Sequence, residues 1–350
     1  MTKSARAVKG VRRPRFGQAK TRHRTERVPS PRAQAHSWIA ALVSMVAVLT
    51  VLSLPRLGLG YFWDDYIFLT QSRANPAAFL LPNPTTIFYR PISMGLYFLL
   101  LRALGDWGAF LGHVFNLVLL GAAVVLLATL VAAHAGRRAG LFAGFSYAAL
   151  SSMPSLVTWI TASQDVLAIL FILIALHFRQ AGRIWAAVVA TGCALFSKEA
   201  ALTLVPTVFL WPWLVQGKRD RLLRDGSLFL ALALAWGAVH PGVRLFLVHG
   251  PRSQATGYVH LQGGEHWAPY VGRYLATLFN LPITGYANTW PHELTPFAWA
   301  AVALLLSGIW FGRSAALHSA SQPVPMGRLV AVSALLALPP LILDTALIGH

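Results

Sequence analysis

Long apolar runs, separated by short polar clusters, dominate the chain from Trp38 onward. A helix needs about 20 mostly apolar residues to cross the hydrocarbon core of a bilayer, so runs of this kind are typical of membrane-spanning helices. The first run covers residues 38–54. Later runs predict spans at residues 110–133, 140–158, 164–179, 184–197, 200–215, 228–248, 296–312 and 328–348. The pattern therefore predicts an all-α, polytopic membrane protein with about nine crossings.

The composition agrees with this prediction and excludes a soluble globular protein. Hydrophobic residues make up 56% of the chain, and the mean hydropathy is +0.58. Only 11 residues are Asp or Glu, against 29 Lys and Arg. The single cysteine, Cys193, lies in an apolar run, so the chain can form neither a disulfide framework nor a dithiol redox motif.

The basic residues predict a topology, because short cytoplasmic loops collect Lys and Arg. Residues 1–36 are strongly basic and poor in apolar side chains, which predicts a disordered cytoplasmic arm ahead of a transmembrane domain at 37–350. Phe16 is the only aromatic residue of this arm, so we expect no nucleic-acid partner. Further basic clusters on the cytoplasmic side lie at residues 137–138, 179–183 and 218–224. The exported loops of this topology are residues 58–109 and 249–295.

Two stretches inside these loops predict helices that lie along the exported surface. Residues 91–105 are apolar but short, and Arg102 interrupts them, so they predict an interfacial or re-entrant helix. Residues 269–283 have the pattern of an amphipathic helix that closes the second loop over the membrane edge. We therefore expect a transmembrane helix bundle with exported juxtamembrane helices.

Several of the scarce ionisable residues gather on one side of this topology. Those on the exported side include Asp64, Asp65, Arg90, Asp165, Lys198 and Glu199. Charged side chains at a membrane boundary cost free energy unless they are paired or solvated, so such a group is a candidate functional site. The alternative is an ion-paired network that only holds helices in register, with Asp165 bound to Arg90 or Lys198 bound to Glu199.

Carboxylates and cations beside lipid suit one reaction in particular. A hydroxyl that attacks the anomeric carbon of a lipid-phosphate sugar needs a carboxylate as general base and a cation for the departing phosphate. The lipid tail of such a sugar donor stays in the membrane while its headgroup lies at the interface. The sequence therefore predicts a membrane transferase whose site lies on the exported face.

Five short motifs occur in a defined order between about residue 60 and about residue 215. They are WDD at 63–65, YRP at 89–91, HxxN at 113–116, WITASQD at 159–165 and SKEAA at 197–201. This ordered set resembles the membrane half of the tetratricopeptide-repeat-containing O-mannosyltransferases and their bacterial relatives, which are GT-C glycosyltransferases. The resemblance implies a GT-C helix bundle. It also implies an inverting transfer of a mannose-like sugar from a polyprenyl-phosphate donor to a hydroxyl of a protein, lipid or glycan, without a nucleotide sugar.

The resemblance further implies roles for individual residues. Asp64, the first acid of the first exported loop, is the favoured general base, and Asp65 would orient or assist it. Arg90 and Lys198 match cations expected near the lipid phosphate. The supporting residues are Tyr89, Asp165, Glu199, His113 and Asn116. Such families often work without a metal, and the chain has neither an HExxH motif nor paired cysteines, so we expect no dedicated metal site and no other cofactor.

Two of these motifs need a separate interpretation. His113 and Asn116 lie three residues apart, hence on one helix face, and a hydrogen-bonded polar pair inside the bundle explains them without catalysis. A supporting role near the site is the alternative. Ser163 and Gln164 stand where relatives carry an Arg before the Asp165 position. The motif is therefore present in a changed form.

Two functions of other classes stay open. A transporter or flippase for a lipid-linked or polar envelope precursor would place ionisable residues at mid-membrane, whereas the charges here lie at the ends of predicted spans. A noncatalytic scaffold for envelope assembly would use the same acids for packing alone. For the transferase and for both alternatives, we expect a multi-pass protein of a bacterial inner membrane, or of an endoplasmic reticulum equivalent, with a cytoplasmic N terminus.

Overall fold

The computed structural model describes residues 31–75, 79–83, 88–150, 152–217 and 222–249. Over those residues the chain is helical and contains no β-strand, which confirms the all-α prediction for this part of the protein. Most of the basic arm, nearly all of the second predicted exported loop and the last two predicted spans lie outside the described residues. Helix α1 begins at Pro31, so residues 31–36 are helical where the sequence predicted the end of a disordered arm.

The described residues form a series of α-helices joined by short connections. The helices are α1 (Pro31–Ser53), α2 (Asp64–Ala74), α3 (Tyr97–Ala103), α4 (Gly108–Ala135), α5 (Arg137–Ala148), α6 (Ser152–Thr158), α7 (Ser163–Gln180), α8 (Ile184–Leu195), α9 (Val205–Gln216), α10 (Leu222–Val239) and α11 (Pro241–His249). Shorter helical turns lie at Leu54–Arg56, Pro91–Leu96, Gly105–Trp107, Ile160–Ala162 and Glu199–Leu204. The turn before α7 is continuous with that helix.

Four helical segments of the described residues are long and apolar enough to cross a membrane. They cover Ala35–Arg56, Gly105–Ala135, Ile160–Gln180 and Leu222–Val239. The first three match the spans predicted at 38–54, 110–133 and 164–179, and the fourth begins earlier than the span predicted at 228–248. The apolar runs of the sequence therefore form helices of the expected length at these places.

Three shorter apolar helices accompany these four. They cover Pro91–Ala103, Ile184–Leu195 and Glu199–Val215. The first lies where the sequence predicted a short surface helix, and the other two lie where it predicted complete spans. Since an α-helix rises about 1.5 Å per residue, each of the latter two is shorter than the hydrocarbon core of a bilayer.

Prolines explain the two places where a predicted span is divided between two helices. The span predicted at 140–158 is divided between α5 and α6, and Pro154 lies at the third position of α6. The span predicted at 228–248 is likewise divided, because α10 ends before Pro241 and this proline begins α11. Proline lacks the backbone N–H that a helix interior needs, so it is tolerated in a first turn and interrupts a longer helix.

Helices α4 and α7 run parallel, which fixes which charges share one end of the bundle. Near the start of α4, His113 contacts the carbonyl of Val157, just before α7. Near the end of α7, His177 contacts the carbonyl of Leu126, in the second half of α4. The 18 residues of α7 extend over about 27 Å. Asp165 therefore lies at the opposite end of the bundle from the basic residues that follow α4.

Helix α5 packs against α4 at a distance that only small residues allow. A Cβ atom at Gly140 would lie 2.5 Å from the carbonyl oxygen of Ala128, and one at Gly144 would lie 2.9 Å from the Ala128 Cβ. Two small residues four apart bring helix backbones close together, an arrangement common between membrane helices. The α4 and α5 helices thus form a closely packed hairpin, and α4 also packs against α7.

A buried ion pair joins the far end of α7 to α9 and α10. Arg179 Nη1 lies 2.8 Å from Asp225 Oδ2, and both side chains are less than 10% exposed. Arg179 Nε also donates to the carbonyl of Val208 at 3.2 Å. That carbonyl would normally accept from the residue four positions later, but this is Pro212, which has no N–H. The sequence predicted Arg179 as part of a cytoplasmic basic cluster, and the structure shows that its side chain is buried in these contacts at the end of α7 where the basic residues after α4 also lie.

Candidate functional site

The predicted site residues converge on the segment that leads into α7. Asp65 is fully buried there, and its Oδ1 accepts a hydrogen bond of 2.7 Å from the backbone N–H of Thr161 and another from the Thr161 hydroxyl. Its Oδ2 accepts from the backbone N–H of Phe62 at 2.8 Å. Burial raises the pKa of Asp65, although these hydrogen bonds lower it in part. Asp65 therefore anchors the start of α2 to the start of α7.

Asp64 is the first residue of α2 and differs from its neighbour. Its side chain is partly exposed, and within the described residues no group forms a hydrogen bond or an ion pair with its carboxylate. Trp63 before it has φ 41° and ψ −103°, a conformation that a residue with a side chain rarely adopts. Such strain costs about 1–3 kcal/mol and persists only where surrounding contacts impose it. Here the contacts of Asp65 hold the strained turn, and Asp64 has no partner among the described residues.

Arg90 lies at the centre of a second, largely buried group. Its Nε and Nη2 lie 2.7 Å and 2.5 Å from Glu199 Oε2. Its Nη1 donates to the side-chain carbonyl of Gln164, at the start of α7. The guanidinium also stacks on the ring of Phe88, 4.3 Å from the ring centre. Arg90 thus connects the YRP and SKEAA motifs to the first turn of α7.

Lys198 and Asp165 form a separate ion pair at the same end of α7, with Nζ 2.5 Å from Oδ1. The sequence suggested that Asp165 pairs with Arg90 or that Lys198 pairs with Glu199. In the structure Arg90 pairs with Glu199 and Lys198 pairs with Asp165. Lys198 has an extended backbone, with φ −158° and ψ 138°. Neighbouring side chains of an extended segment point to opposite sides. Lys198 and Glu199 therefore reach different partners.

The two pairs differ in their access to solvent or ligand. The side chains of Lys198 and Asp165 are 30% and 38% exposed, whereas those of Arg90 and Glu199 are 13% and 21% exposed. Burial raises the pKa of Glu199, but the charge of Arg90 and hydrogen bonds from His240 and Arg90 outweigh it and lower the pKa to about 2. Glu199 is therefore ionised at neutral pH, and Lys198 is the more accessible cation.

His240 belongs to the site and was missed by the sequence analysis. Its side chain is 3% exposed, and its Nε2 lies 3.2 Å from Glu199 Oε1. An ionisable residue in the apolar run ALALAWGAVHP, directly before a proline, was a signal that pointed to this position. Gln164, noted only as a change from the family motif, is a second member of the network.

His113 and Asn116 stabilise the backbone that positions α7. Both are fully buried. The ring nitrogens of His113 contact the carbonyls of Val157, at 2.7 Å, and Leu59, at 3.0 Å. The Asn116 amide donates to the carbonyl of Ile160 at 3.2 Å. His113 and Asn116 thus lie inside the bundle as predicted, but they contact neighbouring backbone carbonyls rather than each other.

Tyr89 connects the YRP segment to its neighbours. Its hydroxyl donates to the carbonyl of Leu80 at 3.2 Å, and its ring packs edge-on against Phe196 at 5.8 Å. Close by, the Ser93 hydroxyl donates to the carbonyl of Ser197 at 2.6 Å. These contacts hold the segment that carries Arg90 against the segment that carries Lys198.

All the predicted charged residues are thus linked to one end of α7. Thr161, which binds Asp65, precedes Gln164 and Asp165 by three and four residues, and four helical residues rise only about 6–8 Å. Among the described residues, no group of three or more His, Cys, Asp or Glu is placed to hold a metal ion. Residues 250–295 lie outside the described residues, so the expectation of a metal-free site stays a prediction.

Comparisons of the chain with models of known protein families, with curated proteins and with solved structures find no match. A function therefore has to be inferred from the site itself. Asp64 offers a carboxylate that can accept a proton. Among the described contacts, Lys198 uses one of its three N–H groups on Asp165, which leaves two for an anionic ligand.

Proposed function

We propose that this protein is a membrane glycosyltransferase of the GT-C type. It transfers a mannose-like sugar from a polyprenyl-phosphate donor to an acceptor hydroxyl and inverts the anomeric configuration. The resemblance of the ordered motifs supports the reaction class. The four apolar helices support the membrane location. A carboxylate that no described residue pairs with, at the same end of α7 as the two ion pairs, supports the chemistry.

In the proposed reaction, Asp64 takes the proton of the acceptor hydroxyl. The acceptor oxygen forms a new bond to the anomeric carbon of the sugar, and the bond from that carbon to the lipid-phosphate oxygen breaks. The bonding electrons leave with the phosphate, whose added negative charge is stabilised by Lys198 and Arg90. Because attack comes from the side opposite the departing phosphate, the configuration inverts.

The observation that carries this proposal is that no described residue pairs with the Asp64 carboxylate. In the described residues, Asp65, Asp165 and Glu199 each have protein partners that satisfy their carboxylates. A noncatalytic scaffold explains those pairs, because ion pairs hold helices in register, but it gives no role to the Asp64 carboxylate, with which no described residue pairs. General-base catalysis requires such a carboxylate.

The proposed location is a bacterial inner membrane, with the site on the exported face. The N terminus and the basic residues after α4 would then be cytoplasmic. The polyprenyl chain would lie in the bilayer, and the acceptor, which is a protein, a lipid or a glycan, would approach from outside. Apart from membrane lipid and these substrates, the proposal needs no partner and no nucleic acid.

Incubation of the purified protein with a panel of polyprenyl-phosphate sugars, each with a labelled sugar, tests this function. We expect one of them to be consumed, with one lipid phosphate released for each new glycosidic bond and with an inverted anomeric centre in the product. Movement of intact lipid-linked sugar across a vesicle membrane without a new glycosidic bond would favour the flippase alternative. No consumption and no movement would favour the scaffold.

A further inference from the structure

His240 lies in the elbow between α10 and α11, directly before Pro241. The backbone hydrogen bonds on either side of the elbow are kept, since the His240 N–H donates to the carbonyl of Trp236 at 3.0 Å and its own carbonyl accepts from Arg244 at 3.2 Å. The elbow turns the side chain inward, where it is 3% exposed. A buried polar ring at such a place needs hydrogen-bond partners on both nitrogens.

The partners of the ring define where its proton lies. The backbone N–H of Val243 donates to Nδ1 at 3.4 Å, so Nδ1 accepts. A neutral imidazole that accepts at one nitrogen carries its hydrogen on the other. Nε2 therefore donates to Glu199 Oε1 at 3.2 Å. His240 acts here as a hydrogen-bond donor to an ionised carboxylate.

The ring is also fixed in its plane. The indole of Trp236 packs on it with ring centres 4.6 Å apart, and the Trp236 Nε1 donates to the carbonyl of Leu195 at the end of α8. This packing and the hydrogen bond to Nδ1 hold the imidazole beside Glu199.

Glu199 transmits this support to Arg90. Its Oε1 is bound by His240 and its Oε2 by Arg90, so the carboxylate cannot rotate without losing one of them. The described contacts use three of the five N–H groups of Arg90, two on Glu199 and one on Gln164. The other two are directed by the orientation of the guanidinium, which the Glu199 carboxylate sets.

We propose that His240 is a positioning residue: through Glu199, it orients the remaining N–H groups of Arg90 toward the phosphate of the polyprenyl-phosphate donor. The inference rests on the proposed function for the identity of that ligand. It concerns recognition of phosphate and not the apolar tail, because Arg90 offers N–H donors that only an acceptor group can use.

The substitutions His240→Leu and His240→Gln test this role. Leucine fills a similar volume without a hydrogen-bond donor, whereas the glutamine amide restores an N–H. The probes are a short-chain polyprenyl phosphate and the corresponding uncharged polyprenol, with binding to the full chain in lipid nanodiscs measured as Kd. We expect His240→Leu to raise the Kd for the phosphate about 10-fold and to leave the Kd for the polyprenol unchanged. His240→Gln should stay within about 3-fold of the wild type for both.

A double-mutant cycle with Glu199→Gln tests whether His240 acts on phosphate binding through Glu199. Since His240 acts through Glu199, His240→Leu should weaken phosphate binding no further once Glu199 is replaced. His177→Leu, a substitution of the same kind at the other end of α7, is the control. Equal losses for phosphate and polyprenol, or additive losses in the cycle, would overturn the inference and assign His240 a merely structural role.

Failure of this inference is distinguishable from failure of the proposed function. If the wild type binds the phosphate in preference to the polyprenol but transfers no sugar, the glycosyltransferase proposal fails while the comparison of the His240 variants still decides the inference. If the wild type does not distinguish phosphate from polyprenol, both fail.

Discussion

The substitution Asp64→Asn is expected to lower the rate of sugar transfer by about 100- to 10,000-fold, the usual contribution of a general base. Asparagine has the same shape but cannot accept the proton of the attacking hydroxyl. Within the described residues the Asp64 carboxylate has no partner, so its replacement removes no internal contact, and the thermal unfolding midpoint should not change. Transfer is measured with the sugar donor found in the panel of polyprenyl-phosphate sugars.

Two further Asp→Asn substitutions are the controls. Asp65→Asn places an amide where two backbone N–H groups and a hydroxyl now donate to a carboxylate. It should destabilise the fold by about 1–3 kcal/mol, because a buried donor loses its acceptor. Asp106→Asn, at an exposed site, should change neither quantity. Full transfer activity in Asp64→Asn would show that another group is the base.

The substitution Arg179→Met is expected to lower the free energy of unfolding by about 3–5 kcal/mol, the cost of breaking a buried ion pair from one side. It leaves the buried carboxylate of Asp225 without its main partner. It also leaves the Val208 carbonyl unpaired, because Pro212 has no N–H to offer. The measurement is the unfolding midpoint in nanodiscs, by heat or denaturant.

The control for this prediction lies four residues later. Arg183 is exposed and follows α7, so Arg183→Met should change the stability by no more than about 0.5 kcal/mol. Phosphate binding at the opposite end of α7 should survive in both variants once the protein is folded. Equal stability of Arg179→Met and Arg183→Met would show that the buried pair does not hold α7, α9 and α10 together.

The apolar pattern was sufficient to predict most helices, because a membrane helix needs a long run of apolar residues wherever it lies. It failed at Pro154 and Pro241, where a hydropathy average continues through a residue that interrupts the backbone hydrogen bonds. It also overestimated the length of α8, since a run of apolar residues does not show where the chain turns.

The members of the site were predictable because ionisable residues are scarce in this chain and costly beside lipid. The partner of each of these residues was not predictable. Asp64 and Asp65 are neighbours of the same type, and it is Asp65 whose carboxylate binds the Phe62 N–H and Thr161, which is distant in sequence. The pairing of Arg90 with Glu199 likewise depends on three-dimensional contacts that no spacing encodes.

His240 also has a partner that the sequence does not indicate. Its position in an apolar run marked it as unusual, but its partner Glu199 lies in a different motif. The burial of Arg179 was not predicted, because a basic residue at a helix end is most often a cytoplasmic loop residue. Its buried partner Asp225 directly follows the basic cluster at residues 218–224, and nothing in the spacing of the two residues indicates that they pair.

Cysteine labelling of the site tests the central claim most directly, namely that Asp64 and the phosphate-binding cations share one exported face. In a Cys193→Ser background, Asp64→Cys, Lys198→Cys and Arg138→Cys are each exposed to a membrane-impermeant maleimide in cells with an opened outer envelope and an intact inner membrane. The account predicts that Asp64→Cys and Lys198→Cys react from outside, whereas Arg138→Cys reacts only after the membrane is disrupted. Labelling of Asp64→Cys and Lys198→Cys from opposite sides of the membrane would contradict it.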